Sequence, residues 1–245
     1  EKLKEQWTPE LIAGRLEQDH PGCTISHEAI YQYIYAQYRR GGYGNCTGTD
    51  LRKYLRRRHK VRRPKKLKYA VERGPLQNRT SIDQRPIVVD SRTQPGHWEG
   101  DSMISRQSKA RLNTLVERTS GLLRVSKLKD GTAGETTRVV VRRLQRIPQR
   151  LRRTLTLDNG IENAGHEDIT RNIDTKIYFA HPYHSWERGT NENTNGLLRQ
   201  YFPKGSCLSN YSQEQLDSVA NHLNNRPRKT LGFLTPAHKL EQVLQ

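Results

Sequence analysis

Three carboxylates in this sequence stand where chemistry is expected. Asp101 closes a predicted strand in HWEGDSMIS, Asp158 closes another in LRRTLTLDNG, and Glu192 lies near the start of a predicted helix within His181–Gly205. Ligands gather at the carboxyl ends of strands in open α/β sheets. Three converging carboxylates repel one another unless a cation neutralises them, and all-oxygen ligands suit Mg²⁺ or Mn²⁺. Two such ions would support an in-line displacement by a water or a hydroxyl.

Residue spacing alone leaves other assignments of these carboxylates open. A single Asp at a strand end is more often a turn residue, and the Asp158-Asn159-Gly160 turn explains Asp158 by itself. Glu187 competes with Glu192, because five residues amount to about 140° around a helix, so only one of them can face a given site. Three further acids are also available: Asp90, Glu99 and Glu162.

The elements that would position these acids begin at about residue 95. HWEGDSMIS, RLNTLVER and LLRVSKL predict an antiparallel meander, because turn residues separate the three short segments. A helix at 132–147, a strand at 151–157, a helix at 166–173 and a strand at 176–180 follow. Three further helices are predicted. The first begins between Ser185 and Thr190, and the other two cover 212–225 and 237–244. This order predicts an α/β domain built on a mixed sheet.

Residues 8–38 predict two helices around a tight turn. Thr8 and Ser26 can cap them, and Ile30 and Ile34 form an apolar stripe on the second helix. The pair is either a plain helical hairpin or a helix-turn-helix, and the basic run that follows favours the second. The residues of the second helix that would then face DNA are His27, Tyr31 and Gln32.

A strongly basic run follows a Gly-rich connector at 39–51. The chain carries 43 Lys and Arg against 25 Asp and Glu, a formal charge of +18, which favours a nucleic-acid partner. Residues 52–68 hold 11 Lys or Arg in 17 positions, and residues 71–94 read as an extended linker. The basic run is either a solvated tail or an arm on DNA phosphates. The candidate contacts in it are Arg56, Arg57, Arg58, Arg62, Arg63, Lys65 and Lys66.

Composition limits the other classes of function. Hydrophobic residues make up only 32% of the chain, so the core is modest, and no run of 18 apolar residues predicts a membrane span. Cys23, Cys46 and Cys207 form no CxxC pair, which favours a reducing cytosol over a disulfide framework. The chain begins at Glu1 and its single methionine is Met103, so we expect a fragment of a longer protein.

GHWEGD, LTLDNG and HPYHSWERGTNENTNGLLRQYFPKG together resemble the DDE transposases of the insertion-sequence-thirty family, within the retroviral-integrase-like superfamily. The spacing agrees, with 56 residues between Asp101 and Asp158 and 33 between Asp158 and Glu192. WTPELIAGRL…ISHEAIYQYIY resembles the family's helix-turn-helix, and NNRPRKTLGFLTPAHKL resembles its C-terminal region. The similarity therefore covers nearly the whole chain.

The resemblance implies an RNase H-like fold, catalytic roles for the three acids, and Mg²⁺- or Mn²⁺-dependent cleavage of element ends. The freed 3′-OH would then attack target DNA, with an oligomer holding two ends, in a bacterial cytoplasm at the nucleoid. The expected domains are a helix-turn-helix at 1–40, a connector, basic arm and linker at 41–94, and a catalytic domain with C-terminal helices at 95–245. Asn195, Arg199 and Lys204 are further candidate DNA contacts. A DNA-binding regulator without catalysis and an RNase H-like nuclease are the alternatives.

Overall fold

A computed structural model describes residues 1–40, 43–55, 76–182 and 184–244 of the 245-residue chain. The chain divides into two units. The smaller one combines Glu1–Glu72 with Arg226–Thr235, and the larger one combines Arg73–Asn225 with Pro236–Gln245. The smaller unit is mainly helical, and the larger one is an α/β domain.

Two helices form the core of the smaller unit, as predicted. They are α1 (Pro9–Asp19) and α2 (His27–Ala36). Thr8 and Ser26 accept hydrogen bonds from backbone N–H groups in the first turns, which satisfies donors that a helix start leaves free. Ile30 and Ile34 are buried against the rest of the unit, so the apolar stripe predicted on α2 is confirmed.

The Gly-rich connector contains structure that its composition did not predict. Strands β1 (Tyr38–Arg40) and β2 (Tyr43–Cys46) pair antiparallel, and a short 3₁₀ helix covers Leu51–Tyr54. The buried Tyr38 explains this: its hydroxyl bonds Asp50, and the Arg52 guanidinium lies 3.6 Å from its ring centroid. Aromatic and cationic side chains thus hold together a stretch whose glycines suggest only a connector.

The larger unit is built on one five-stranded sheet. Its strands and helices in chain order are α3 (Val88–Ser91), β3 (His97–Met103), β4 (Arg111–Glu117), β5 (Leu123–Leu128), α4 (Ala133–Leu144), β6 (Thr154–Leu157), α5 (His166–Ile173), β7 (Lys176–Phe179), α6 (Gly189–Leu198), α7 (Gln213–Asn224) and α8 (Pro236–Leu244). The strand order is β5-β4-β3-β6-β7, with β4 antiparallel to β3 and β5, and with β6 parallel to β3 and β7. This mixed sheet confirms the predicted fold class.

Helices cover both faces of the sheet. Apolar residues of α4 and α5 pack with Trp98, Leu115 and Leu155 on one face, and residues of α6 and α7 pack with Leu112 and Val116 on the other. The central strand β3 serves both layers because successive side chains point to opposite faces. Gly100 faces the α4 and α5 layer, where an added Cβ would meet Leu157 Cδ2 at 2.6 Å. Glu99 and Asp101 therefore face α6.

Residues 76–94 belong to the extended linker predicted at 71–94, but in the structure they pack against the sheet. The Phe179 N–H donates to Thr80 O at 2.9 Å, and Ser81 forms an isolated parallel β-bridge with Phe179. This stretch therefore covers the open edge of β7. Val89 is buried, and Arg85 donates to Thr156 Oγ1 at 3.1 Å. These contacts fix the stretch on the sheet, although its composition resembles that of a linker.

Residues 226–235 also differ from the prediction, which assigned all of 95–245 to the catalytic domain. The structure groups them with the smaller unit, where Arg15 Nη1 donates to Phe233 O at 3.2 Å. Gln18 donates to Gly232 O at 3.3 Å, and the Phe233 ring occupies the space that a side chain at Gly14 would need. The absent Cβ of Gly14 is what admits this loop against α1.

In the part of the chain that the structure describes, no helix has both the length and the apolar composition needed to cross a membrane.

Candidate active site

Strand register brings Asp101 and Asp158 together. Strands β3 and β6 are parallel, with Trp98 opposite Leu155 and Glu99 opposite Thr156. Two further steps along this register set Asp101 opposite Asp158, and neighbouring strands lie about 4.8 Å apart. The two aspartates that the sequence predicts at strand ends therefore share the same edge of the sheet.

Asp158 closes a turn and also contacts Arg188. Its Oδ1 accepts from the Gly160 N–H at 3.1 Å and from Asn163 Nδ2 at 2.8 Å, which closes the turn after β6. Its Oδ2 faces Arg188 instead, at 3.4 Å from Nη2. The two explanations that the sequence left open for Asp158 are thus compatible, because each uses a different carboxylate oxygen.

The Arg188 guanidinium lies between the two aspartates. Its Nη1 is 3.3 Å from Asp101 Oδ1 and also donates to Gly100 O at 3.2 Å, while its Nη2 reaches Asp158. Burial raises the pKa of the Asp101 carboxyl, the nearby Asp158 carboxylate adds to that rise, and Arg188 opposes it. Sequence reasoning missed Arg188, whose only local signal is its position one helical turn before Glu192.

Two asparagines fix the orientation of α6 against the sheet. The Asn191 N–H donates to Glu99 Oε2 at 2.9 Å, and its Oδ1 accepts from Thr114 at 3.0 Å. Asn195 Nδ2 donates to Asp101 Oδ2 at 2.6 Å. Sequence analysis proposed Asn195 as a DNA contact, and in the structure its amide instead binds a candidate catalytic carboxylate.

Glu192 lies on α6 beside these contacts. It lies three positions before Asn195, about 60° around the helix, so the two side chains are neighbours. The Glu192 side chain is exposed, and no hydrogen bond or ion pair joins it to another described residue. The structure thus places Asp101 beside Asp158, with Arg188 between them, and holds Glu192 on the adjoining helix.

Comparison with known proteins identifies the family. The chain is 41% identical over 248 residues to the transposase for insertion sequence element IS1086 of Cupriavidus metallidurans, covering 99% of this chain and 70% of that relative. It is 40% identical over 242 residues to the IS4351 transposase of Bacteroides fragilis, covering 99% and 71%. Transposase InsI of element IS30A from Escherichia coli is 39% identical, with 99% and 63% covered. The chain belongs to the IS30 family of transposases.

No protein-family model matches the transposase. Among solved structures, the catalytic core domain of BIV integrase superposes with a TM-score of 0.45 at 21% identity, covering 60% of this chain and 95% of that one. As a member of this family the transposase acts on DNA, and such enzymes generally use divalent metal ions.

The competing acids of the transposase have other partners. Glu99 is fully buried and paired with Arg118, and Asp90 lies 2.6 Å from Arg85 and 3.2 Å from Arg118. Glu162 is 3.8 Å from Arg111. Glu187 Oε1 lies 2.8 Å from His181 Nδ1, in a cluster separate from the aspartates. Among the acids that spacing left open, Glu192 therefore has the freest side chain.

The predicted DNA contacts of the transposase differ in their placement. His27, Gln32 and Lys204 are exposed, whereas Tyr31 is half-buried and donates to Glu10 Oε1 at 3.3 Å. Arg199 is half-buried and donates to Ile104 O at 3.1 Å, so it also holds the fold together. The contacts predicted in the basic arm lie outside the described residues: Arg56, Arg57, Arg58, Arg62, Arg63, Lys65 and Lys66.

Proposed function

We propose that Asp101, Asp158 and Glu192 are the catalytic acids with which this transposase cleaves DNA at element ends and joins the 3′-OH to target DNA. The observation that carries the proposal is the Arg188 guanidinium held between Asp101 and Asp158. Two carboxylates that share a cation in this way already provide a site for positive charge. The two aspartates form a pair, and the exposed Glu192 supplies the third acid.

The donor set fits Mg²⁺ or Mn²⁺, and we propose two ions held by the three acids. The oxygens are Asp101 Oδ1, Asp158 Oδ2 and the Glu192 carboxylate, and hard divalent cations prefer such all-oxygen sets. Asn195 Oδ1 is a further oxygen, buried and without a hydrogen-bond partner among the described residues. When bound, such ions activate a water or a 3′-hydroxyl and stabilise the departing oxygen.

The protein's own residues orient this donor set. Asn195 holds Asp101 Oδ2, and Asn163 with the Gly160 N–H holds Asp158 Oδ1, so one oxygen of each aspartate is anchored and the other is directed into the site. Ligands that are fixed before substrate arrives lose little freedom in the reaction. Arg188 lies between them, so its guanidinium would have to move away for a divalent ion to be held by the same two oxygens.

A joining assay tests the proposal. We expect the protein, incubated with labelled element-end DNA, a target plasmid and MgCl₂, to give cleaved ends and joined products, and to give neither with EDTA in place of Mg²⁺. Cleavage without joining would contradict the strand-transfer step, and binding without cleavage would contradict the catalytic assignment.

We further propose that an oligomer holds two ends at the bacterial nucleoid. Light scattering of the protein with and without end DNA should then report more than one subunit per complex.

The basic arm should set the salt dependence of DNA binding. Arg52 and Leu55 belong to the folded smaller unit, so the variant leaves them unchanged and replaces only the candidate contacts from Arg56 to Lys66. Replacing its seven candidate contacts with Gln is expected to flatten the slope of log affinity against log salt, by about 0.9 for each phosphate that the arm no longer neutralises. Binding titrations between low and moderate salt measure the slope. A matched Arg146→Gln variant on an exposed position should change it little, and an unchanged slope in the arm variant would contradict phosphate binding.

Removing Arg188 should increase the rise in melting temperature that bound metal gives to the protein. In Arg188→Gln the two aspartates lose their internal cation, so we expect a lower melting temperature without metal and a larger rise on adding MnCl₂ than in the parent. Differential scanning fluorimetry measures both. Arg146→Gln serves as the control because its side chain is exposed, and equal responses to MnCl₂ in parent and Arg188→Gln would contradict competition between Arg188 and the ion.

A further inference from the structure

A second cluster of potential metal ligands lies between β7 and α6. His181, His184 and Glu187 each offer one ligand atom, and these three atoms lie within 4.8 Å of one another. Glu187 Oε1 is 2.8 Å from His181 Nδ1 and 3.3 Å from His184 Nδ1, so both rings direct the same kind of nitrogen at the same oxygen. We propose that His181, His184 and Glu187 form a binding site for Zn²⁺ or a chemically similar transition-metal ion.

The donor chemistry distinguishes this site from the proposed catalytic one. Two imidazole nitrogens and one carboxylate oxygen suit Zn²⁺ or Co²⁺, whereas the all-oxygen set of Asp101, Asp158 and Glu192 suits Mg²⁺. Bonds of about 2.0–2.1 Å in a tetrahedral site place ligand atoms about 3.3 Å apart. The pair of His184 and Glu187 already has that separation, and the pair of His181 and Glu187 needs to open by about half an ångström.

The surroundings of His181 are those of a metal ligand. Its second nitrogen, Nε2, lies 3.0 Å from Asp83 Oδ2. A histidine that binds a metal through one nitrogen usually gives the other N–H to a carboxylate, which fixes the ring and leaves the first nitrogen free to bind. Asp83 comes from residues 76–94, the stretch that covers the edge of β7, so the contact is not a by-product of local sequence.

The other two ligands are also held in place. The His184 ring stacks on Trp186 at 4.3 Å between centroids, with 28° between the planes. The Glu187 Oε2 atom accepts a hydrogen bond from the backbone N–H of His181 at 2.8 Å, which leaves Oε1 for the ion. The convergence of two rings, each with its own support, favours a shared cation.

The ion would stabilise the segment that leads into the proposed active site. The 3₁₀ helix Ser185–Arg188 runs directly into α6, and the start of α6 has no side-chain cap. Glu187 precedes Arg188, whose guanidinium lies between Asp101 and Asp158. An ion bound by His181, His184 and Glu187 would therefore fix the segment from which Arg188 and Glu192 project, while taking no ligand from the catalytic acids.

Cobalt binding tests the site directly. The full chain, stripped of metal with a chelator, is titrated with Co²⁺, and the visible d–d absorption and calorimetric binding of Zn²⁺ are recorded. We expect one equivalent to bind with absorption typical of a site that contains nitrogen ligands, in addition to any Co²⁺ that the all-oxygen set of the catalytic acids takes up. His184→Ala should weaken binding by more than about a hundredfold, and Asp83→Asn, which alters only the support of His181, by about 10–100-fold.

Matched controls separate this site from others. Asp158→Asn should retain the Co²⁺ absorption, because the aspartates are not ligands here, so failure of the proposed catalytic site and failure of this one are distinguishable. His20→Ala, on an exposed histidine outside the cluster, should also retain it. Glu187→Gln, which preserves side-chain shape, repeats the test if His184→Ala fails to fold by circular dichroism. Absent Co²⁺ absorption in the parent, or equal affinity in the parent and the ligand variants, would overturn the proposal.

Discussion

Glu192→Gln is expected to lower the yield of joined DNA by about a hundredfold to a thousandfold. A metal ion that stabilises the transition state supplies several kcal/mol, and each 1.36 kcal/mol is a factor of ten in rate. The exposed Glu192 has no described partner, so the substitution should leave the free energy of unfolding and the affinity for DNA unchanged. The measurement is the fraction of labelled element ends joined to plasmid in a fixed time.

Glu241→Gln provides the matched control for this variant. It makes the same chemical change at an exposed position on α8, and it should join DNA as efficiently as the parent. A Glu192→Gln variant as active as the parent would exclude Glu192 as the third acid. The result would also be informative if DNA affinity fell in parallel with joining, because that would assign Glu192 to DNA binding instead of catalysis.

Glu99→Ala is expected to lower the free energy of unfolding by about 3–5 kcal/mol, the range for breaking a buried ion pair from one side. Glu99 is fully buried, where Oε1 pairs with Arg118 and Oε2 accepts from the Asn191 N–H at 2.9 Å. The substitution leaves a buried guanidinium with less compensation, and it also releases the start of α6. Urea denaturation followed by circular dichroism measures the change.

Asp168→Ala is the corresponding control on the surface. The pair of Arg171 and Asp168 is 3.0 Å apart but mostly exposed, at 75% and 57% of the two side chains, so its removal should cost less than about 1 kcal/mol. A smaller loss for Glu99→Ala than for Asp168→Ala would contradict the view that the buried pair holds α6 on the sheet. Loss of joining activity in Glu99→Ala is also expected, because Asn191 and Asn195 orient the site from α6.

Much of the fold follows from local pattern. Helix α4 is predicted at 132–147 and observed at Ala133–Leu144, because Val140 and Leu144 recur at helical spacing and Thr132 caps the start. Residues 76–94 were misassigned, because what fixes them is a sheet edge contributed by β7, far along the chain. The hairpin of β1 and β2 was missed because its stability comes from Tyr38, Asp50 and Arg52, which no strand periodicity announces.

The candidate site, like the fold, could be predicted only in part from the sequence. Asp101 and Asp158 could be placed at strand ends from the sequence, but their adjacency depends on the parallel register of β3 and β6, which is a long-range property. Arg188 could not be predicted from the sequence for the same reason, because its guanidinium can contact both aspartates only when the pairing of β3 with β6 has brought them together. Spacing could say that Glu187 and Glu192 face different directions, and the structure adds that Glu187 faces two histidines.

Because residues 226–235 belong to the smaller unit, they affect when that unit can finish folding during synthesis. Arg15 and Phe233 are 218 positions apart, yet they share a hydrogen bond. Domains generally fold as units during synthesis, N-terminal ones first, but this unit cannot complete its contacts until residue 235 has left the ribosome. Translation that stops early therefore yields chains whose helical unit is unfinished. Completion of the unit expected to recognise DNA is thus tied to prior synthesis of residues 73–225 of the larger unit.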